Sequence, residues 1–149
     1  DNVVSNGLIP FFSALAGFNF IFFGSISSAL ADTLASELGV LSKDKPRLIT
    51  DFREVLPGKD GAVSRIGLVV SLLAGAVIAL FVAILGVVNT PLIPLIIILA
   101  LSGFVGSLFD SFLGATLEKR GDLSNGSVNF ISTLVGGLFA FLLKVLLVG

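Results

Sequence analysis

Long apolar runs alternate with short polar interruptions along the chain. Five runs stand out, at 3–17, 18–39, 66–88, 92–117 and 128–148. The last four hold about the 20 predominantly apolar residues that carry an α-helix across the hydrocarbon core, and the first reads as a short or tilted span. Pro10 stands near the start of that first helix or kinks it. Gly39 suits a C-terminal cap for the second, and Ser124, Asn125 or Ser127 suits the N-cap of the fifth. Between the second and third runs hydrophobicity falls. Residues 40–65 read as a polar loop in which Lys43, Lys45, Arg47, Arg53, Lys59 and Arg65 alternate with Asp44, Asp51, Glu54 and Asp60. The pattern predicts an all-α fold, a polytopic integral membrane bundle of about five transmembrane helices, with 1–149 forming one transmembrane domain.

Composition agrees with a chain dissolved in lipid: 55% of residues are hydrophobic, 13% are charged and the mean hydropathy is +1.09. The net charge of −1 creates no global field for nucleic acid, so none is expected as a partner. Cysteine and histidine are both absent, which removes thiolate chemistry and the usual general base near neutral pH. Catalysis must then rest on carboxylates, hydroxyls, amides, Lys and Arg. With no Trp or Tyr, only the 14 Phe can form an interfacial belt. The chain begins at Asp1 and contains no Met, and so reads as part of a longer protein.

Orientation follows from the basic residues. The 40–65 loop and Lys119-Arg120 fall on one side of a five-helix path, and the 89–91 link on the other side has no charge. The basic side is expected to be cytoplasmic, in the cell membrane of a prokaryote. Asn6, Asp32, Glu37, Ser64, Asp110, Ser111, Asn125 and Asn129 then gather at that end.

An Asp within a span is costly, roughly 2.5 to 3.5 kcal/mol at the bilayer centre, and is normally paired or facing water. One such acid is most simply explained as capping a helix end or pairing with a loop cation. Two in similar settings, "SALADTLAS" around Asp32 and "GSLFDSFLG" around Asp110, favour a shared task. Carboxylates with hydroxyls and amides suit a hard divalent cation such as Mg2+. The loop supplies opposite charge: Lys43, Lys45 and Arg47 lie beside the mouth of the second helix. "PGKDGAVS" brings Gly58, Gly61 and Ser64, where backbone amides suit phosphate. No P-loop pattern occurs, and by itself the loop reads as an ordinary positive-inside connector. Asn125 and Asn129, four apart at a helix start, suit an anion or a plain cap.

The segments "SNG" (5–7), "ADTLASELG", "KPRLIT", "LPGKDGAVSRIG", "GSLFDSFLGATLEKRG" and "NGSVNF" together resemble the transmembrane family of phytyl-phosphate kinase and its archaeal and animal relatives. That family is similar in turn to dolichol kinase and phosphatidate cytidylyltransferase. Glu118 stands where relatives often carry Gln, and Ser5 where they often carry Ala. The resemblance implies additional N-terminal helices and a Mg2+-dependent phosphotransferase. Such an enzyme uses CTP or another NTP to convert an isoprenoid monophosphate into the diphosphate.

On that reading Asp32 and Asp110 hold the metal with Glu37 assisting, and act in catalysis with Lys45. Lys43, Lys45, Arg47, Thr50, Gly58, Gly61 and Ser64 form the nucleotide side, and Asn6, Asn125 and Asn129 orient the acceptor phosphate. The prenyl tail is expected along the small-residue face of the fourth helix. The partners expected are nucleotide, isoprenoid phosphate and membrane lipid, with a homo-oligomer left open. Three alternatives remain: a cytidylyltransferase using the same site, an ion or small-molecule transporter using the intramembrane acids, and a purely structural bundle.

Overall fold

A computed structural model of the chain describes residues 2–149. It contains five α-helices among the described residues: α1 (Asn2–Leu15), α2 (Asn19–Gly39), α3 (Arg65–Leu85), α4 (Leu92–Leu113) and α5 (Asn125–Leu147). A π-helical turn, Gly114–Glu118, extends α4. Among the described residues, three helices are long and apolar enough to cross a membrane: α3, α4 with its π turn, and α5. α2 is as long as α3 but more polar, and it is the central helix, packed against the other four. Its neighbours keep lipid from its serines, which is why a polar helix is tolerated there. α1, with 14 residues, is shorter than a perpendicular crossing requires.

Helix ends explain the departures from the apolar runs. α3 stops at Leu85 because Gly86 turns left-handed (φ 64°) and its N–H donates to the Val82 and Ala83 carbonyls. α5 begins at Asn125, three residues before its apolar run, because the Ser124 hydroxyl caps it by accepting from the Ser127 N–H at 3.2 Å. Gly39 is not a left-handed cap. It is the last residue of α2, and the next residue, Val40, stays right-handed (φ −66°). Gly39 matters for space: a Cβ there would stand 2.9 Å from Ser64 Oγ. Pro10 lies inside α1 and cannot donate to the carbonyl of Asn6 four residues back.

Small residues set the packing, as expected where lipid gives helices no hydrophobic reason to associate. A Cβ on Gly106 of α4 would stand 2.6 Å from Ser28 Cβ of α2, and one on Gly103 would stand 2.9 Å from the Ser27 carbonyl oxygen. The small-residue face of α4 is therefore filled by α2. It has no room for the prenyl tail expected there. In the half of the bundle away from the polar loop, Ala79, Val82, Leu95, Ile98, Leu99 and Ala140 form a dry core.

The 40–65 segment is folded rather than open. β1 (Arg47–Leu48) pairs antiparallel with β2 (Ala62–Val63), in the register Arg47 with Val63 and Leu48 with Ala62. Leu48 is buried beneath the ribbon, and the Ile49 N–H donates to the Gly61 carbonyl at 3.0 Å. This ribbon closes over the polar end of the bundle.

Candidate active site

The C-terminal halves of α2 and α4 and the first turns of α1 and α5 meet beneath the ribbon around a cavity of about 670 Å³. Asp32 from α2 and Asp110 from α4 both line it, within electrostatic reach of each other. Ser107 of α4 donates to Asp32 Oδ1 at 3.5 Å, and Ser132 of α5 donates to Asp110 Oδ2 at 3.0 Å. Ser28 of α2 donates to the Ser132 carbonyl at 3.0 Å. Three helices are thus tied to one another around the acids. The second oxygen of each carboxylate takes no hydrogen bond among the described residues.

The loop reaches the cavity through Pro57 to Ala62. Gly58 and Gly61 hold left-handed conformations (φ 82° and 74°) that let the chain turn back on itself. Gly61 is buried against the π turn of α4: a Cβ there would collide with Ala115 Cβ and stand 2.7 Å from the Ser111 carbonyl oxygen. The widened π turn and the missing side chain together seat the loop on α4, a pairing often found beside functional sites.

Lys59, two residues before Gly61, is exposed and is the one basic residue among the described lining residues of the cavity. It has no carboxylate within 4 Å among the described residues. Asp32, Glu37, Asp60, Asp110 and Glu118 are the carboxylates facing the same space. Such an excess of negative charge admits a polyphosphate only together with cations.

Of the residues singled out from sequence, Asn6, Asp32, Glu37, Gly58, Gly61, Ser64, Asp110, Asn125 and Asn129 line this cavity. Asn129 Nδ2 donates to Asn125 Oδ1 at 3.3 Å along α5. Lys43, Lys45, Arg47 and Thr50 lie outside it, exposed on the ribbon. Lys45 and Arg47 share Glu54, at 3.9 and 3.6 Å. Lys43, Lys45 and Arg47 do not line the cavity, so the expected phosphate clamp is not assembled there. Lys59 was one of six alternating loop cations, with no sequence signal to separate it from the rest.

Glu37 shares the cavity but does not join the two aspartates, since five positions along α2 rotate it well around the helix. No group of three acidic side chains among the described residues is gathered for a metal ion. The two aspartates still fit magnesium, which usually takes one or two carboxylates, keeps several waters and completes its shell with substrate phosphates.

These features define a polytopic membrane helical bundle with an acid-lined cavity at one end, beneath a glycine-bearing loop. The chain belongs to the family described as integral membrane protein DUF92, whose pattern matches residues 1–137. An uncharacterized membrane protein of Methanocaldococcus jannaschii is 43% identical over 148 residues, covering 95% of this chain and 60% of that protein. Protein PGR of Arabidopsis thaliana is 42% identical over 106 residues, covering 66% and 37%. Protein VTE6, chloroplastic, from the same plant is 29% identical over 126 residues, covering 83% and 37%. The chain therefore spans 60% or less of the length of these relatives. No solved structure matches.

Proposed function

We propose that the protein is the catalytic part of a kinase that moves the terminal phosphoryl group of a nucleoside triphosphate onto an isoprenoid monophosphate. The observation that carries this reading is the meeting of Asp32 and Asp110, from different helices, in a cavity lined by Lys59 of the docked loop. The resemblance of both acidic motifs to the phytyl-phosphate kinase family supports the acceptor class.

In the reaction an oxygen of the acceptor phosphate bonds to the terminal phosphorus. The bond from that phosphorus to its bridging oxygen breaks, and the nucleoside diphosphate leaves with the electron pair. A phosphate monoester has a second pKa of about 6, so the acceptor is already largely dianionic at neutral pH and needs no strong base. A chain without histidine suits such chemistry, where positioning and charge neutralisation do most of the catalysis. Magnesium held by Asp32 and Asp110 supplies neutralisation of the crowded phosphate oxygens when bound. Lys59 adds a mobile positive charge toward the nucleotide phosphates. Asn6, Asn125 and Asn129, on the α1 and α5 side, offer neutral amides to the acceptor phosphate.

The dry core of Val82, Leu95, Ile98 and Leu99 beyond the acids supports an enzyme over an ion pathway, which needs polar groups across the whole bundle. Full-length protein in lipid vesicles, given phytyl or geranylgeranyl phosphate with CTP, ATP, UTP or GTP, tests the proposal. Release of nucleoside diphosphate with isoprenoid diphosphate is expected. Pyrophosphate release instead identifies a nucleotidyltransferase, and no consumption of any nucleotide overturns both.

A further inference from the structure

A second hollow opens beside the cavity, between the first half of α1 and the start of α5. Its walls are Val4, Leu8, Leu123, Phe130 and Ile131, and its volume is about 980 Å³. That is at the upper end of the roughly 300 to 1,000 Å³ of small-molecule sites. Asn125 lines both the hollow and the acid-lined cavity, and Ser5, which also lines the hollow, precedes Asn6 of the cavity. The two spaces meet at the α1–α5 seam. There Gly126 lets α5 approach α1, and a Cβ on it would stand 2.8 Å from Ser5 Oγ.

The polar rim of Ser5, Ser124, Asn125 and Ser127 gives way to the apolar wall, an order that matches a molecule with an anionic head and a hydrocarbon tail. The seams inside the α2–α5 core are closed by glycine and serine contacts, as at Gly103 and Gly106. Val4 and Leu8, by contrast, stay 64% and 36% exposed.

We propose that this α1–α5 groove seats the hydrocarbon tail of the lipid phosphate whose head lies in the acid-lined cavity, an inference that rests on the kinase reading for its ligand class. With Val4 and Leu8 exposed along it, the groove offers a tail a path that does not cross the polar cavity.

A geranylgeranyl phosphate carrying a photoreactive diazirine at its tail end, with the full-length protein in nanodiscs, tests this. Crosslinks are expected on Val4, Leu8, Phe130 or Ile131, and unlabelled geranylgeranyl phosphate should compete them away. Leu8→Trp and Ile131→Trp, which narrow the groove, are expected to raise KM for geranylgeranyl phosphate about tenfold more than for dimethylallyl phosphate. Crosslinks confined to residues outside the groove, or absent altogether, overturn it, as does an equal effect of the Trp variants on both tails. Competable crosslinks in the groove without nucleotide-dependent transfer sink the kinase reading alone. Transfer with crosslinks elsewhere sinks the groove alone.

Discussion

Asp32 and Asp110 each engage one oxygen with a hydroxyl from a neighbouring helix, so each carboxylate is aimed before any ligand arrives. Asp32→Asn and Asp110→Asn keep that shape and remove the charge. Each is expected to lower kcat at least about 100-fold in the transfer assay, the scale of losing one preorganised electrostatic contact. Thermal unfolding in detergent should be unchanged or raised, because a neutral amide is cheaper to bury. Lys59→Ala should raise the nucleotide KM about 10- to 100-fold, the range of one charge-assisted bond. Lys43→Ala, on the exposed ribbon, should change it less than about twofold. The aspartates were legible in the sequence because a charge in an apolar run is anomalous on its face. Lys59 was not: six loop cations look alike until the loop folds, and its fold depends on contacts with α4. Ser107 and Ser132 were hidden for a similar reason, since a serine in a membrane helix gives no hint whether it bonds its own backbone or another helix.

At the scale of elements, the ribbon and the π turn work as one device. Gly61→Ala places a methyl group against Ala115 and the Ser111 carbonyl, in a left-handed conformation that costs about 1 to 2 kcal/mol for any other L-residue. The loop should lift, and transfer should fall about tenfold or more while the bundle keeps its unfolding temperature. Gly106→Val acts on the helices themselves. Overpacking against Ser28 is expected to destabilise the bundle by about 1 to 3 kcal/mol, read as a lower unfolding temperature in detergent. The helices were visible in the apolar runs to within a few residues, since lipid demands long apolar stretches. The two-residue strands and the π turn were invisible, because neither has a composition of its own. Gly114, Ala115 and Thr116 would serve equally in an ordinary helical turn.

Across the whole molecule, the cavity carboxylates and the ribbon gather at one end and the apolar core lies toward the other, where Asn19, Asn89, Thr90 and Lys144 line a separate surface hollow. Chelation by EDTA should abolish nucleotide-dependent transfer and added Mg2+ should restore it, whereas vesicles containing the protein should show no ion flux above protein-free vesicles. The placement of the basic segments made this division readable from sequence. The filling of the small-residue face of α4 was not readable, because glycines that admit a ligand and glycines that admit a helix are the same letters.

The serines and threonines carry a consequence for how the protein is made. Ser13, Ser25, Ser71, Ser102 and Thr133 each donate to a carbonyl of their own helix, so those helices can enter the bilayer singly with these donors satisfied. The bonds from Ser28 and Ser107 to other helices, and the bond of Ser132 to Asp110 beside the Asn129 carbonyl of its own helix, form only when α2, α4 and α5 meet. The two acids therefore gain their hydroxyl partners only through the packing of separate helices.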